Sequence, residues 1–309
     1  MVSKSGTNTP QRSVTPTGLA HLGVVYVVWS STYLAIRIAV REGSGFPPFT
    51  MALMRVAAAG AIMFIWAWLS KKRIELDRRE ALILGLSGLL LWTGGNGLVT
   101  WAEQRAESGL TAIILASLTI WVAIIEAVID RRLPSKLLAG SLLVGLSGIA
   151  VLTYPTMQSG VRADMLSLLA LIGATISWGI GTMLQTRNHV NVSARVSSAY
   201  QMVAGGVGFA ILLFLFDEPT PTPTTEAWLA WGYLVLFGAV LAFTSYVTAL
   251  RMLPTKIVMT YAYVNPVLAV FLGWIILSEA ITTWTVLGTI LVLVGVAGVF
   301  RERFQESTN

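Results

Sequence analysis

Two histidines, His21 and His189, and no cysteine leave too few ligands for a metal cluster and no thiol nucleophile. What remains is aromatic and amide chemistry. Of 11 tryptophans, Trp29, Trp92, Trp121 and Trp178 fall near the middle of long apolar stretches. An indole N–H in hydrocarbon needs an acceptor, so such residues face protein or a wet cavity. Polar neighbours accompany each one. Ser30, Ser31 and Thr32 follow Trp29, Thr93 and Asn96 follow Trp92, Ser117 and Thr119 precede Trp121, and Ser177 precedes Trp178. Tyr246, Tyr261, Tyr263 and Asn265 lie in later apolar stretches. Facing lipid, each hydroxyl or amide would be costly. Bundle packing is the plain alternative for each tryptophan, and back-bonding to the same helix accounts for part of the hydroxyls. Asn96 and Asn265 are harder to satisfy that way, and are expected to meet a polar solute or each other.

Titratable groups are scarce where chemistry would need them. Glu126 is the one carboxylate expected clearly inside an apolar stretch, near Arg131 and Arg132. Arg37 and Arg55 lie toward stretch ends and are expected to snorkel to the headgroups, although either could attract a carboxylate. Glu279 is expected to accept from backbone donors at the start of the last stretch. The lining therefore reads as aromatic and uncharged. That suits a zwitterion with an apolar side chain or a neutral metabolite, and disfavours sugar phosphates and polycations. Without a central titratable group, movement down the solute's own gradient or with weak coupling is expected.

The elements that must position these residues follow from composition. The 309 residues are 55% hydrophobic and 12% charged, about half the charge of an ordinary soluble domain. Mean hydropathy is +0.73. A water-soluble enzyme and a nucleic-acid-binding protein are both disfavoured, despite a net charge of +6. Ten stretches are long enough to span a bilayer: 19–40, 48–70, 81–102, 107–129, 136–154, 164–186, 194–216, 227–250, 255–277 and 283–300. Connections are short. The basic residues sort by side. Lys4, Arg12, Lys71, Lys72, Arg73, Arg78, Arg79, Arg131, Arg132, Lys136, Arg187, Arg195, Arg251, Lys256, Arg301 and Arg303 fall on one face, against Arg41, Arg105 and Arg162 on the other. Both termini are therefore expected in the cytoplasm. Trp66, Trp68, Trp101, Trp228, Trp231, Trp274 and Trp284 read as interfacial residues near stretch ends. The segment Asp217–Glu226, with Pro219, Pro221 and Pro223, reads as an extended outer loop.

The chain also resembles itself. Trp29 and Trp178 are 149 residues apart, Arg37 and Arg187 150, and Gly145 and Gly148 precede Gly295 and Gly298 by 150. Each half holds five stretches. Five is odd, so the second half must enter the membrane inverted relative to the first, an arrangement typical of secondary transporters. Pro266 sits at the centre of the ninth stretch, where it removes a donor and frees a carbonyl near Ala262 for a solute or a hinge.

Two five-helix halves of this kind resemble the EamA-type repeats of the drug/metabolite transporter superfamily. The second half carries the pattern best: Asn265-Pro266-Val267, then Glu279, Gly288 and Gly295. The first half departs from it, with Thr119 to Trp121 where the proline would fall and Arg131 or Arg132 where the glutamate would. Among members, the chain looks most like a bacterial amino-acid exporter. The resemblance implies a ten-helix protein of the bacterial inner membrane, with a central cavity lined by spans 1, 3, 4, 6, 8 and 9.

The expected architecture is all-α integral membrane, ten transmembrane helices in two inverted five-helix repeats. Residues 1–18 are read as a disordered cytoplasmic tail, 19–154 as the first repeat, 155–162 as an outer connection, 163–301 as the second repeat and 302–309 as a cytoplasmic tail. The expected function is export of amino acids, or of related small metabolites, by alternating access. Export of lipophilic drugs is the alternative, and an intramembrane enzyme a remote one. Trp29, Trp92, Asn96, Trp121, Trp178, Tyr246, Tyr263 and Asn265 are the expected lining, with Pro266 as hinge. No catalytic residue, metal or cofactor is expected. Partners are a small-molecule substrate and membrane lipid, without nucleic acid, and the chain is expected to act as a monomer.

Overall fold

In the computed structural model, residues 14–105, 111, 114–158, 165–277 and 281–306 are described. Arg162 and Glu279, and the side chain of Trp274, lie outside them. Among the described residues the chain is helical, without strands. We number the helices α1 (Pro16–Val40), α2 (Pro48–Leu69), α3 (Arg78–Ala102), α4 (Leu118–Asp130), α5 (Lys136–Gln158), α6 (Met165–Arg187), α7 (Ala194–Phe216), α8 (Thr225–Met252), α9 (Thr255–Met259), α10 (Tyr261–Leu277) and α11 (Thr283–Glu306). Seven are long and apolar enough to cross a membrane: α1, α2, α3, α6, α7, α8 and α11, the last over Thr283–Glu302. Shorter helices occupy the other expected stretches.

Local sequence explains where helices start. Thr15 caps α1, its hydroxyl accepting from the Gly18 amide, with Pro16 supplying a fixed first turn. The helix thus begins three residues before the expected boundary at 19. Asp77 and Glu80 form a capping box at α3. Glu80 also accepts from Arg73 and from the Asn191 amide, which ties that turn to the α6–α7 connection.

The stripe that packs inward is made of small residues, the reverse of a soluble helix. On α2 the buried positions include Ala52, Arg55, Val56, Ala59, Gly60, Met63 and Ala67, while Ile62, Ile65, Trp66, Trp68 and Leu69 are exposed. Lipid solvates large apolar side chains as well as protein does, so small residues take the contacts and let backbones approach.

Packing follows a regular scheme. α5 packs on α11 and α2 on α7; α1 packs on α8 as α6 packs on α3; α1 packs on α10 as α6 packs on α4. The α5–α11 contact is the most extensive. A Cβ added at Gly295 would lie 2.7 Å from the Cα of Gly145, and one added at Gly148 would lie 2.6 Å from the Val292 amide nitrogen. Gly145 and Gly295, 150 apart in sequence, therefore meet, whereas Gly148 faces Gly288 and Val292 and Gly298 faces Ser141.

Two helices depart from α geometry at mid-length. α3 is a π-helix over Leu89–Gly97 and α8 over Leu234–Phe243. Widened turns of this kind shift carbonyls out of register and recur at functional sites. One such carbonyl, that of Leu90, accepts from the Ser177 hydroxyl of α6 at 2.8 Å.

At the end of the bundle away from the chain termini, the loops are tied together. Thr222 and Thr224 amides donate to the Gly45 and Ser44 carbonyls at 2.9 and 3.0 Å. Gly45 has φ +82°, and a Cβ there would sit 2.0 Å from the Thr222 oxygen, so glycine is required. Glu218 caps α2, accepting from the Phe49 and Thr50 amides at 2.8 and 2.7 Å. The segment expected to be an extended outer loop is therefore pinned to the α1–α2 connection.

Candidate functional site

Where the π segments of α3 and α8 face each other across α1 and α6, they leave a cavity. It is lined by Trp29, Thr32, Tyr33 and Ile36 of α1, Arg55 of α2, and Trp92, Gly95, Asn96 and Val99 of α3. Leu115 and Leu118, Ala174, Thr175 and Trp178 of α6, Gly238 of α8, and Tyr261 and Ala262 of α10 complete it. Its volume, counted as space open to the centre of a water molecule, is about 80 Å³. That is room for a few waters, well below the volume of an ordinary ligand pocket.

The floor is a cluster of rings. Trp29 meets Trp178 edge-on at 5.6 Å between centroids, Tyr246 at 5.2 Å and Tyr261 at 5.0 Å. Hydrogen bonds fix their orientation. The Trp29 indole donates to the Gly238 carbonyl at 3.2 Å and the Trp178 indole to the Tyr246 hydroxyl at 3.1 Å. The Tyr246 hydroxyl also bonds Thr182 at 2.5 Å. Beneath the floor, toward the end of the bundle carrying the described termini, Leu22, Val25, Tyr246, Leu250 and Met259 fill the interior at 0–2% exposure. The cavity is therefore closed on that side and extends toward Ile36 and Val99 on the other.

The structure brings together four of the eight expected lining residues: Trp29, Trp92, Asn96 and Trp178. Tyr246 stands behind them, fully buried, holding the Trp178 indole. Three lie elsewhere. Trp121 is half-buried outside the cavity, and Leu115 and Leu118 take its place in the wall. The Tyr263 hydroxyl donates to the Leu142 carbonyl at 2.8 Å, and its ring fills the space left by Gly145, so it is a packing residue between α10 and α5. Asn265 is fully buried. With its amide turned so that nitrogen meets acceptors, it donates to the carbonyls of Tyr261 at 3.1 Å and Tyr26 at 3.2 Å. It does not line the cavity, and meets the wall through Tyr261, which accepts from it. Asn96 and Asn265 do not pair with each other. Pro266 sits inside α10 as expected, and Ala262, whose carbonyl loses its usual donor to the proline, lines the cavity.

The cavity differs from the expected uncharged chamber in one respect. Arg55 does not snorkel. It is 3% exposed and lies in the wall, with its guanidinium carbon 5.2 Å from the Trp92 ring centroid. One of its terminal nitrogens donates to the Asn96 side-chain oxygen at 3.4 Å, a long bond. Its other terminal nitrogen lies against Gly238, where an added Cβ would approach it to 3.0 Å. The charge is set in a field that includes Glu103, the residue after α3, which is 7% exposed and whose other electrostatic neighbour is Arg37. Arg55 was legible from spacing: it lies on the stripe of Ala52, Ala59 and Met63, three or four residues from each neighbour, and not on the face of Ile62 and Ile65.

The remaining polar expectations resolve as back-bonding and pairing. Ser30, Ser31 and Thr32 donate to the Val27, Val28 and Trp29 carbonyls at 2.7 to 2.8 Å. Glu126 pairs across helices with Arg187 at 3.5 Å. Among the described residues no group of His, Asp and Glu could hold a metal ion.

Comparison with known proteins places this geometry. The profile of the EamA-like transporter family matches twice, over residues 17–154 and 165–301. The chain is 34% identical over 274 residues to the uncharacterized inner membrane transporter YedA of Escherichia coli (strain K12), covering 87% of each chain. It is 23% identical to the uncharacterized transporter YoaV of Bacillus subtilis, covering 89% of this chain and 94% of that one. The protein PagO of Salmonella typhimurium is 23% identical over 88% of this chain and 89% of its own. A crystal structure that shares 17% identity superposes with a TM-score of 0.78, covering 94% of this chain and 99% of the other, and so shares the fold.

Proposed function

This chain belongs to the EamA-like transporter family and is a multi-pass membrane protein, and on that premise we propose that it exports amino acids, or related small metabolites, through the ring-walled cavity by alternating access. The observation that carries this reading is the cavity itself. Trp29, Trp92, Trp178 and Tyr261 surround a space in the interior of the bundle, closed toward the end that carries the described termini. Rings cover an apolar side chain without a directional demand, while Asn96 and the Ala262 carbonyl orient polar groups.

The mechanism takes ten spans in two inverted halves. Three observations support that topology. The family profile matches each half separately. The principal contacts of α1, with α8 and α10, map onto those of α6, with α3 and α4, when spans 1 and 6, 3 and 8, and 4 and 9 are exchanged. The two π segments fall in the third and eighth spans, which correspond under that exchange. The halves then rock about the glycine contact of α5 with α11 and about Pro266, opening the cavity to one side at a time. Both termini lie in the cytoplasm of a bacterial inner membrane, so the closed side faces inward and this conformation is the outward one.

Purified protein in liposomes, loaded with one radiolabelled amino acid at a time, tests the reading by counterflow, with and without an imposed pH gradient. Saturable exchange of at least one amino acid is expected, and Trp178→Ala impairs it with little loss of folded protein. No exchange with any amino acid, or exchange indifferent to the Trp178 change, contradicts the proposal. A lipophilic-drug exporter would fit the apolar part of the same wall; drugs that compete with no amino acid but are themselves moved would favour it.

A further inference from the structure

The wall of the cavity has more unanswered donors than acceptors. A guanidinium offers five N–H groups. Among the described residues, the acceptor set against Arg55 is the Asn96 oxygen at 3.4 Å, and its Nε has no protein partner. The Trp92 indole N–H, 2% exposed in the same wall, also has no protein partner. The hydroxyl of Thr32, by contrast, already donates to its own helix, and the Trp29 and Trp178 indoles donate to Gly238 and Tyr246. Burying an arginine without full hydrogen bonding is costly, and a structure retains it where something supplies the missing acceptors. The face of Trp92 recovers part of the cost. Glu103, at the end of α3, offers little counter-charge, because burial raises its carboxyl toward the neutral form, and one of its oxygens is itself buried without a partner. The guanidinium thus keeps free donors inside a desolvated wall.

From this geometry we infer that Arg55, with the Trp92 indole, is the recognition site for a carboxylate on the transported solute. The inference rests on the transport reading for its biological meaning and narrows its substrate class to solutes bearing a carboxylate. A planar guanidinium fork matches a carboxylate with two parallel bonds, which an ammonium group cannot do. One buried arginine in the wall suits a monoanionic group. A phosphate ester, with nearly two charges, would meet one cation there to offset them. Gly238 has a part in this, since its bare backbone leaves room for the guanidinium.

Binding is read directly, without requiring transport, by the intrinsic fluorescence of purified protein in detergent, because three tryptophans line the cavity. The probes are a panel of apolar amino acids, each with two analogues: the amino alcohol, which lacks the carboxylate, and the N-acetyl form, which keeps the carboxylate and loses the ammonium. At least one amino acid and its N-acetyl form bind, and the amino alcohol binds on the order of tenfold more weakly or worse, the worth of one charge-assisted hydrogen bond. Arg55→Gln abolishes that preference, and Arg55→Lys keeps part of it. Melting curves show that each variant is folded; the analogue series on the unmodified protein decides the matter if Arg55→Gln is not. Amino alcohols binding as well as amino acids, no carboxylate binding at all, or a preference that survives Arg55→Gln overturns the inference. A carboxylate preference in detergent without counterflow in liposomes would leave the recognition site standing and remove the transport reading instead.

Discussion

Gly95 offers a sharp test of how the cavity is built. A Cβ at this position would lie 2.6 Å from Cε3 of Trp178 and 3.3 Å from the Leu90 carbonyl oxygen. Ordinary contact begins at 3.4 Å, so in Gly95→Ala the indole must retreat by at least about 0.8 Å, the difference between those two distances. The ring has little freedom to do so. Its N–H is bonded to Tyr246 at 3.1 Å, and its edge is set against Trp29 at 5.6 Å. A retreat of that size stretches the hydrogen bond beyond bonding range and leaves a buried indole donor unpaired, at about 1–3 kcal/mol, similar to the usual cost of overpacking. The expected result is a lower melting temperature in detergent and a loss of counterflow on the order of tenfold. The reasoning also predicts coupling. Trp178→Phe lacks the fused ring that carries Cε3, so Gly95→Ala added to Trp178→Phe costs less than Gly95→Ala alone, by about 0.5–3 kcal/mol. A Gly95→Ala protein with unchanged melting and transport, or strict additivity with Trp178→Phe, would refute the assignment of Trp178 as a tightly seated wall residue.

Other outcomes follow from the same geometry. Gly295→Ala places a methyl 2.7 Å from the Gly145 backbone, where no side chain can yield, so α5 and α11 separate and size-exclusion profiles show mostly aggregated protein. Tyr263→Phe loses one hydrogen bond to Leu142 and should lower stability by about 1 kcal/mol while leaving substrate affinity within twofold of the native value; a large affinity change would place Tyr263 in the pathway. Glu218→Ala removes the acceptor of the Phe49 and Thr50 amides, costing about 0.5–2 kcal/mol as a lost helix cap, visible as faster proteolysis of the 217–226 loop. Removal of the exposed Arg41–Glu226 pair, at 56% and 72% side-chain exposure, should change melting by less than that.

Helix positions were legible because hydrocarbon imposes a simple rule: a chain that crosses it must satisfy its own backbone, and stretch length and charge placement report where it does so. Candidate lining residues were legible only in part. Trp29, Trp92, Trp178 and Asn96 were found because polar or indole groups at mid-stretch need acceptors. The same criterion also selected Tyr263 and Asn265, whose acceptors turned out to be carbonyls of neighbouring helices, at Leu142 and Tyr26, and of Asn265's own helix, at Tyr261. Residue type says that an acceptor is needed; it does not say whether protein or solute provides it. Arg55 was misread for a complementary reason. Snorkelling was assumed from its distance to the stretch end, whereas its position on the small-residue stripe of α2 directs it inward.

The sequence alone determined that this is a helical membrane protein with a duplicated, short-looped chain, since hydropathy, basic-residue asymmetry and a 150-residue period need no knowledge of contacts. Tertiary structure decided which of its polar side chains share one cavity. The π segments of α3 and α8 re-aim Trp92, Asn96 and Gly238 in ways that α-helical spacing does not foretell. Close glycine contacts then bring together residues distant in the chain, such as Trp178 against Gly95 and Arg55 against Gly238. A cavity is a property of what several helices leave unfilled, and no single stretch of sequence carries that information.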